Sequence, residues 1–506
     1  MKTLIDFDWT VMAPELTIAG MAALLSVIDL FLHPNKDRRF FMWPTLIAIG
    51  TAIGFVATQW GKPAYQILAD TYRVDDFAFV FKMILLIGTA LVAVISYGAF
   101  RREKGFAEGE YYYLLLVALL GGMVMTSSGD LITLFVGLEL LSIATYILVG
   151  MRKRAITSNE AAWKNVVLGG VASAFILYGM SFLYGLTGST NLFTMKERLG
   201  EALTSGYDLY AWLALFLIVF GFGFKVAVAP FHMWVPDVYQ GAPTPITAFL
   251  AVISKTAAFA LMLRVFLTGF LPLFQGGGGT LVDEETGGRL LLTMAGLSMI
   301  LGTVIALRQQ DAKRLLAYSS IAQAGVILVP MATWGPFLFP STVYYLVGYL
   351  FTTLGAFTVL MLIEGDAGDS KLSSFAGLSR RAPLTAGAMA LFLLSLAGIP
   401  VTVGFFGKFY ILMNAIVTGS PEHWAMYLIA GIMLMTTVAS YFYYFGIIRM
   451  MYFRPPQRRE GLRVPVGAMM VIGIAFIATL GLGLMPQWIL GILGNLDWGA
   501  ALSPVK

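Results

Sequence analysis

Apolar runs of about 17–30 residues recur along this chain with short polar breaks between them, and that pattern leaves one class of fold open. A helix rises 1.5 Å per residue, so roughly 20 apolar residues cross a hydrocarbon core of ~30 Å. The runs fall near residues 11–32, 41–59, 77–98, 112–127, 130–150, 162–186, 209–238, 243–268, 291–307, 313–334, 341–364, 383–417, 424–452 and 464–491. They are continuous blocks rather than the alternating ten-residue segments of a membrane barrel. The expectation is an all-α polytopic membrane protein with about 14 transmembrane helices.

Composition narrows the chemistry. Of 506 residues, 58% are hydrophobic and 12% charged, about half the charge of an ordinary soluble domain. The first run is too long for a signal-peptide core and reads as the first spanning helix, with no cleavable leader. Cysteine is absent, which excludes disulfides, thiolate metal sites and cysteine-bound iron–sulfur clusters in this chain. Three histidines, His33, His232 and His423, are too scattered for a haem or zinc site.

The net charge of +5 could suggest nucleic acid, but the cations have another order. Alternate loops hold Lys36, Arg38 and Arg39; Arg101, Arg102 and Lys104; Arg152, Lys153 and Arg154; Arg308, Lys313 and Arg314; Lys371, Arg380 and Arg381; and Arg449, Arg454, Arg458, Arg459 and Arg463. The opposite loops and both termini hold only Lys2, Lys62, Arg73, Lys196, Arg198, Arg289 and Lys506. Cytoplasmic loops collect lysine and arginine, so this bias predicts an even number of spans with both termini outside the cytoplasm. No nucleic-acid stripe remains. The Gly276–Gly279 tract reads as a flexible surface loop, since no phosphate-loop context follows it.

Two spans carry helix breakers near their middles. Gly221, Gly223 and Pro230 surround Lys225 in the seventh, while Gly398, Pro400 and Gly404 precede Lys408 in the twelfth. Proline lacks an N–H and clashes with the carbonyl four residues back, here Val226. Freed backbone groups at membrane depth survive only where protein or water satisfies them. Two interrupted spans five helices apart predict inverted five-helix repeats, helices 4–8 and 9–13, with broken helices 7 and 12. The corresponding division is 1–110 (helices 1–3), 111–270 (first repeat), 271–455 (second repeat) and 456–506 (helix 14 and tail).

Four ionisable residues lie deep within spans: Glu139, Lys225, Lys255 and Lys408. A charge there costs roughly 2.5–3.5 kcal/mol even on the lenient insertion scale, so it must be paired, hydrated or functional. Glu139 is about nine residues into its span, or ~14 Å, with Ser142 and Tyr146 on the same face. Lys255 is ~18 Å deep, and Lys408 follows its break toward the outer side. Lysine suits proton transfer, because desolvation weakens any ammonium's hold on its proton and a nearby carboxylate restores it. The pattern predicts a Glu139–Lys225 switch feeding Lys255 and then Lys408 through water. A fixed counter-ion is the alternative for Glu139. Lys82, Lys164 and Arg264 are expected to pair or snorkel. Asp130 should cap the fifth helix. His232 could extend a proton wire, although a hydrogen-bonded structural role suits it better. The clusters Tyr111–Tyr113 and Tyr441–Tyr444 fit packing or interface belts.

Three stretches carry a resemblance. PFHMWVPDVYQGAPTP (230–245), KRLLAYSSIAQAG (313–325) and LAGIPVTVGFFGKF (396–409), in this order, resemble the antiporter-like membrane subunits of respiratory complex I, and the likeness spans essentially the whole chain. Lysine at 408, where the M type usually has glutamate, and the lack of an L-type lateral helix after helix 14 make it most similar to the N type. The resemblance implies proton-transfer roles for Glu139, Lys225, Lys255 and Lys408. It implies a non-redox subunit of a proton-translocating NADH (or ferredoxin)-quinone oxidoreductase in a bacterial cell membrane, beside M-, K- and L-type neighbours and a peripheral arm. This chain would bind no cofactor; NAD(H) or ferredoxin, FMN, iron–sulfur clusters and quinone would belong to partner subunits. A Na⁺(K⁺)/H⁺ antiporter or membrane-bound hydrogenase subunit shares the fold and is the alternative, with a purely structural scaffold as a further rival.

Overall fold

The computed structural model describes residues 9–33, 36–97, 99–100, 108–274, 286–419, 424–458 and 460–503. The Gly276–Gly279 tract, His423 and the cations Lys2, Arg101, Arg102, Lys104, Arg459 and Lys506 lie outside the described residues.

The helices follow the apolar runs closely. The first three spans are α1 (Ala13–Phe31), α2 (Met42–Ala57) and α3 (Asp76–Ser96). Then come α4 (Glu108–Thr126), α5 (Leu131–Val149), α6 (Ile156–Thr187) and α7 (Leu192–Thr204). The seventh span is α8 (Asp208–Val226) with the short α9 (Val235–Gly241). The eighth contains α10 (Thr244–Phe249) and α11 (Lys255–Arg264), and α12 (Leu271–Phe274) follows it. The remainder are α13 (Thr286–Ala306), α14 (Ala312–Thr333), α15 (Leu338–Ala367), α16 (Leu378–Arg381), α17 (Pro383–Ala397), α18 (Val403–Thr418), α19 (Trp424–Phe453), α20 (Val466–Leu484) and α21 (Pro486–Gly494). Thirteen helical stretches among the described residues are long and apolar enough to span, and α17 with α18 supplies the fourteenth crossing.

Three features go beyond the sequence pattern. The loop expected at 187–208 contains α7, an amphipathic helix burying Leu192, Met195, Leu199 and Leu203 and capped by Asn191. The loop expected at 60–76 contains an antiparallel hairpin, Tyr65–Ile67 with Tyr72–Val74. The last run is divided, because Pro486 starts a separate helix after Leu484.

A local knot recurs in the two halves. Asp130 caps α5 and forms an antiparallel bridge to Asn191 beyond α6; Asp311 caps α14 and forms the same bridge to Lys371 beyond α15. Leu131 N donates to Thr190 O at 2.9 Å in one, and Ala312 N to Ser370 O at 2.7 Å in the other. In both, the long helix before the bridge ends on a left-handed glycine, Gly188 or Gly368. An odd number of intervening spans puts the two knots on opposite membrane faces, as an inverted repeat requires. The span Thr244–Gly269 and α14 are almost wholly buried, whereas only a minority of the residues of α1 and α19 are buried.

Candidate functional site: a carboxylate and three lysines on four spans

In the first half, α5 carries Glu139, Ser142 and Tyr146 on one face. Lys225, in the last turn of α8, donates from Nζ to Ser142 Oγ at 2.7 Å and to Tyr146 OH at 3.3 Å. Glu139 is half-buried and turns toward α6, where Ser173 donates to its carboxylate. The direct Glu139–Lys225 ion pair expected from the sequence is thus not formed, and hydroxyls on α5 occupy the lysine instead. Tyr146 reaches it only because residue 169 is glycine: a Cβ there would lie 2.0 Å from the Tyr146 hydroxyl.

The helix stops beside Lys225. Ala227 adopts φ 64°, and α9 does not begin until Val235. Inserted groups satisfy the exposed backbone: Trp234 Nε1 donates to Phe224 O at 3.1 Å, and Ala229 N donates to Ser298 Oγ at 2.8 Å. His232 is buried in this stretch, and its Nδ1 has no hydrogen-bond partner among the described residues.

Lys255 begins α11 directly after a π-helical turn at Leu250–Ser254, and a second such turn, Val265–Gly269, follows Arg264. Such turns frequently mark functional positions, and no residue type announces them. Lys255 Nζ donates to Ser320 Oγ at 2.5 Å and to Ser320 O at 2.7 Å. Tyr349 OH donates to the same Ser320 Oγ at 2.9 Å, and the Tyr345 ring stacks on Tyr349 with 6.4 Å between centroids. Tyr345 OH donates to Gln323 Oε1, and Gln323 Nε2 donates to Leu396 O at 3.2 Å. Leu396 O also accepts from Lys408 Nζ at 2.8 Å. Lys255 and Lys408 are thereby the two ends of a buried polar run that crosses α14 at Ser320 and Gln323, neighbours at i and i+3.

Lys408 solves its burial differently from Lys225. α17 ends at Gly398, φ 85°, leaving carbonyls unsatisfied, and Lys408 folds back from α18 onto Leu396 O and, at 3.5 Å, Ala397 O. A cation at a helix C-terminus also meets the negative end of the dipole. No hydrogen bond or ion pair among the described residues directly joins Lys225 to Lys255.

The remaining deep charges pair as expected. Lys82 meets Glu15 at 2.7 Å, with Tyr72 OH bonded to both side chains. Lys164 meets Asp237 at 2.6 Å and Glu160 at 2.7 Å. Arg264 meets Asp75 at 2.5 Å, and Arg73 reaches the same carboxylate at 3.1 Å. Burial pushes the Asp75 carboxyl up, but Arg264 and Arg73 outweigh it and hold the group below the usual carboxylate range. Tyr111 packs internally, its hydroxyl 2.5 Å from Ser96 Oγ. Sequence reasoning missed Ser320, Gln323, Tyr345 and Tyr349. The polar stripe at 320 and 323 inside an apolar run was the available signal.

A half-buried carboxylate on α5, a half-buried lysine and a buried one beside the two helix breaks, and a buried lysine on the span between them give the layout of an antiporter-like membrane subunit. A family model described as NADH:quinone oxidoreductase/Mrp antiporter, transmembrane region, matches residues 128–438. NADH-quinone oxidoreductase subunit N of Brevibacillus brevis is 45% identical over 100% of this chain and 99% of its own length. The subunit N of a Geobacillus species is 47% identical over 96% of this chain and 98% of its own. The chain belongs to this family, in its subunit N branch. Among solved structures, a chain of respiratory complex I from Thermus thermophilus with bound aureothin superposes with a TM-score of 0.78 at 31% identity, covering 94% of this chain and 98% of that one. A chain of the Mrp complex from a Dietzia species shares the fold at a TM-score of 0.83 but only 19% identity, over 98% of this chain and 99% of that one.

Proposed function

We propose that this chain is a proton-translocating membrane-arm subunit of a bacterial NADH (or ferredoxin)-quinone oxidoreductase, with Glu139, Lys225, Lys255 and Lys408 carrying or gating the proton. The observation that carries the reading is the polar run from Lys255 through Ser320 and Gln323 to Lys408. A signal from a neighbouring subunit arrives at half-buried Glu139 and changes the setting of Lys225. Lys225 then exchanges its proton with Lys255 through water. The hydroxyls of Ser320, Tyr349 and Tyr345 line the route along which water carries it on to Lys408 and out. Moving one charge against 100 mV costs about 2.3 kcal/mol. A hundredfold change in a lysine's proton affinity supplies about 2.7 kcal/mol, which is of the needed order.

The cation bias of the loops supports an orientation with both termini on the non-cytoplasmic side. The matched knots at Asp130 and Asp311 support the division at 111–270 and 271–455 into two inverted repeats. Redox chemistry belongs to partner subunits holding flavin, iron–sulfur clusters and the quinone site; a chain without cysteine suits that division of labour. The Mrp likeness extends to the fold, while full-length identity of 45–47% ties the chain to subunit N.

Tagging the chain, solubilising native membranes gently and identifying what co-purifies tests the assignment. Recovery with other membrane-arm subunits and iron–sulfur proteins that reduce a quinone is expected. Recovery with antiporter or hydrogenase partners would overturn the enzyme while leaving the proton route standing.

A further inference from the structure

The seven-residue α9 is gripped at both ends by adjacent cations of α14, which lies in the other half of the molecule. At its start, Asp237 Oδ1 meets Arg314 Nη1 at 2.6 Å while Oδ2 meets Lys164 Nζ of α6, also at 2.6 Å. Arg314 additionally reaches Gln240 Oε1 at 3.1 Å. Just beyond its end, Lys313 Nζ donates to Ala242 O at 3.2 Å and meets Glu364 Oε1 at 2.9 Å, and Glu364 also accepts from Thr244.

The two grips differ in kind. The Lys313 side chain is 1% exposed and Glu364 20%, so that end is anchored. Asp237, Arg314 and Lys164 are 33%, 28% and 36% exposed, and ion pairs this open to solvent exchange readily for water. α9 can therefore pivot about Ala242 when Asp237 lets go. The motion would bear on Lys225 directly, because Trp234, next to α9, holds the Phe224 carbonyl beside the lysine, and Val228 and Ala229 between them are buried.

We propose that Asp237 is a positioning residue for proton loading at Lys225. Bound between Lys164 and Arg314 it keeps α9 seated and the buried stretch Ala227–Ala229 dry. Released from Arg314, it lets water reach Lys225 from the cation-rich face, which the orientation proposed above makes cytoplasmic. Because Arg314 belongs to the second half, movement there is transmitted to the lysine of the first. The inference rests on the proton-carrying role of Lys225 but is measured without it.

The absence of native cysteine makes the test clean. Val228→Cys, in the whole complex in sealed vesicles, is exposed on the cation-rich face to a charged, membrane-impermeant maleimide, and labelling of this chain is read by mass spectrometry. Slow labelling is expected with Asp237 intact, about tenfold faster labelling with Asp237→Asn, and slow labelling again with Asp237→Glu. Protons pumped per electron should fall and recover in the same order. If Asp237→Asn does not assemble, Arg314→Gln, which leaves Asp237 its Lys164 partner, carries the same comparison. Labelling unchanged by release of the carboxylate would overturn the proposal. Failure of Lys225 itself as a carrier would show instead as normal pumping by Lys225→Arg, with the labelling result untouched.

Discussion

The two broken spans place a lysine at a helix end in opposite ways. Lys225 precedes its break and binds side-chain hydroxyls on a neighbouring helix, near a carboxylate that is only half-buried. Lys408 follows its break and binds carbonyls that the break itself releases. The first lysine thus depends on side-chain hydroxyls that can move, near a half-buried carboxylate; the second depends on its own backbone. In the proposed route the first break would sense and the second deliver, with Lys255 between them on one of the two most enclosed spans.

Substitution of Lys255 should have the largest effect, since it cuts both breaks off from one another. Lys255→Ala is expected to lower proton-coupled quinone reduction by about tenfold or more at equal complex content, whereas unchanged coupled turnover would place the route elsewhere. Gly169→Ala should come next. Its Cβ would sit 2.0 Å from the Tyr146 hydroxyl and push that ring off Lys225, so pumping should drop several-fold while the second break stays intact. Infrared titration of the lysines can check that selectivity: a change at Lys408 equal to that at Lys225 would dissolve the contrast.

A smaller effect is expected from Tyr345→Phe, which removes only the hydroxyl that donates to Gln323. One net hydrogen bond is worth about 1 kcal/mol, or roughly fivefold in rate, read as pumping per electron. Smallest of all is the pH dependence of stability. Burial pushes the Asp75 carboxyl up, but Arg264 and Arg73 together hold it below its usual range. A depressed carboxylate contributes stability that is fully present above its unfolded value, about 3.9, and lost as pH falls through the folded one. Thermal unfolding of the purified complex should therefore show no change from these pairs between about pH 6 and 8, where their contribution is fully present, and a loss only in acid below about pH 4.

Much of this arrangement was legible in the sequence because membrane depth makes charge conspicuous. Pro230 and the Gly398-Ile399-Pro400 turn marked both breaks, and Lys82, Lys164 and Arg264 found the partners that buried cations need. What stayed hidden carries no charge. Ser320, Tyr345 and Tyr349 look like ordinary residues of apolar helices until the fold aligns their hydroxyls. The π-helical turns flanking Lys255 arise from packing rather than from any residue type. α7 is too polar to cross a membrane, and a search for spans passes over it. The direct Glu139–Lys225 pair was inferred from charge alone, and nearer hydroxyls took the lysine.

The most direct test of a proton-delivering second break is the proton-to-electron ratio of Lys408→Arg in membranes with wild-type complex content. Arginine keeps the positive charge and can still donate to the Leu396 carbonyl, but it does not give up its proton in proteins. The account predicts a lowered ratio despite normal assembly. A wild-type ratio would mean that Lys408 serves as a fixed charge, and the delivery role assigned to it would be wrong.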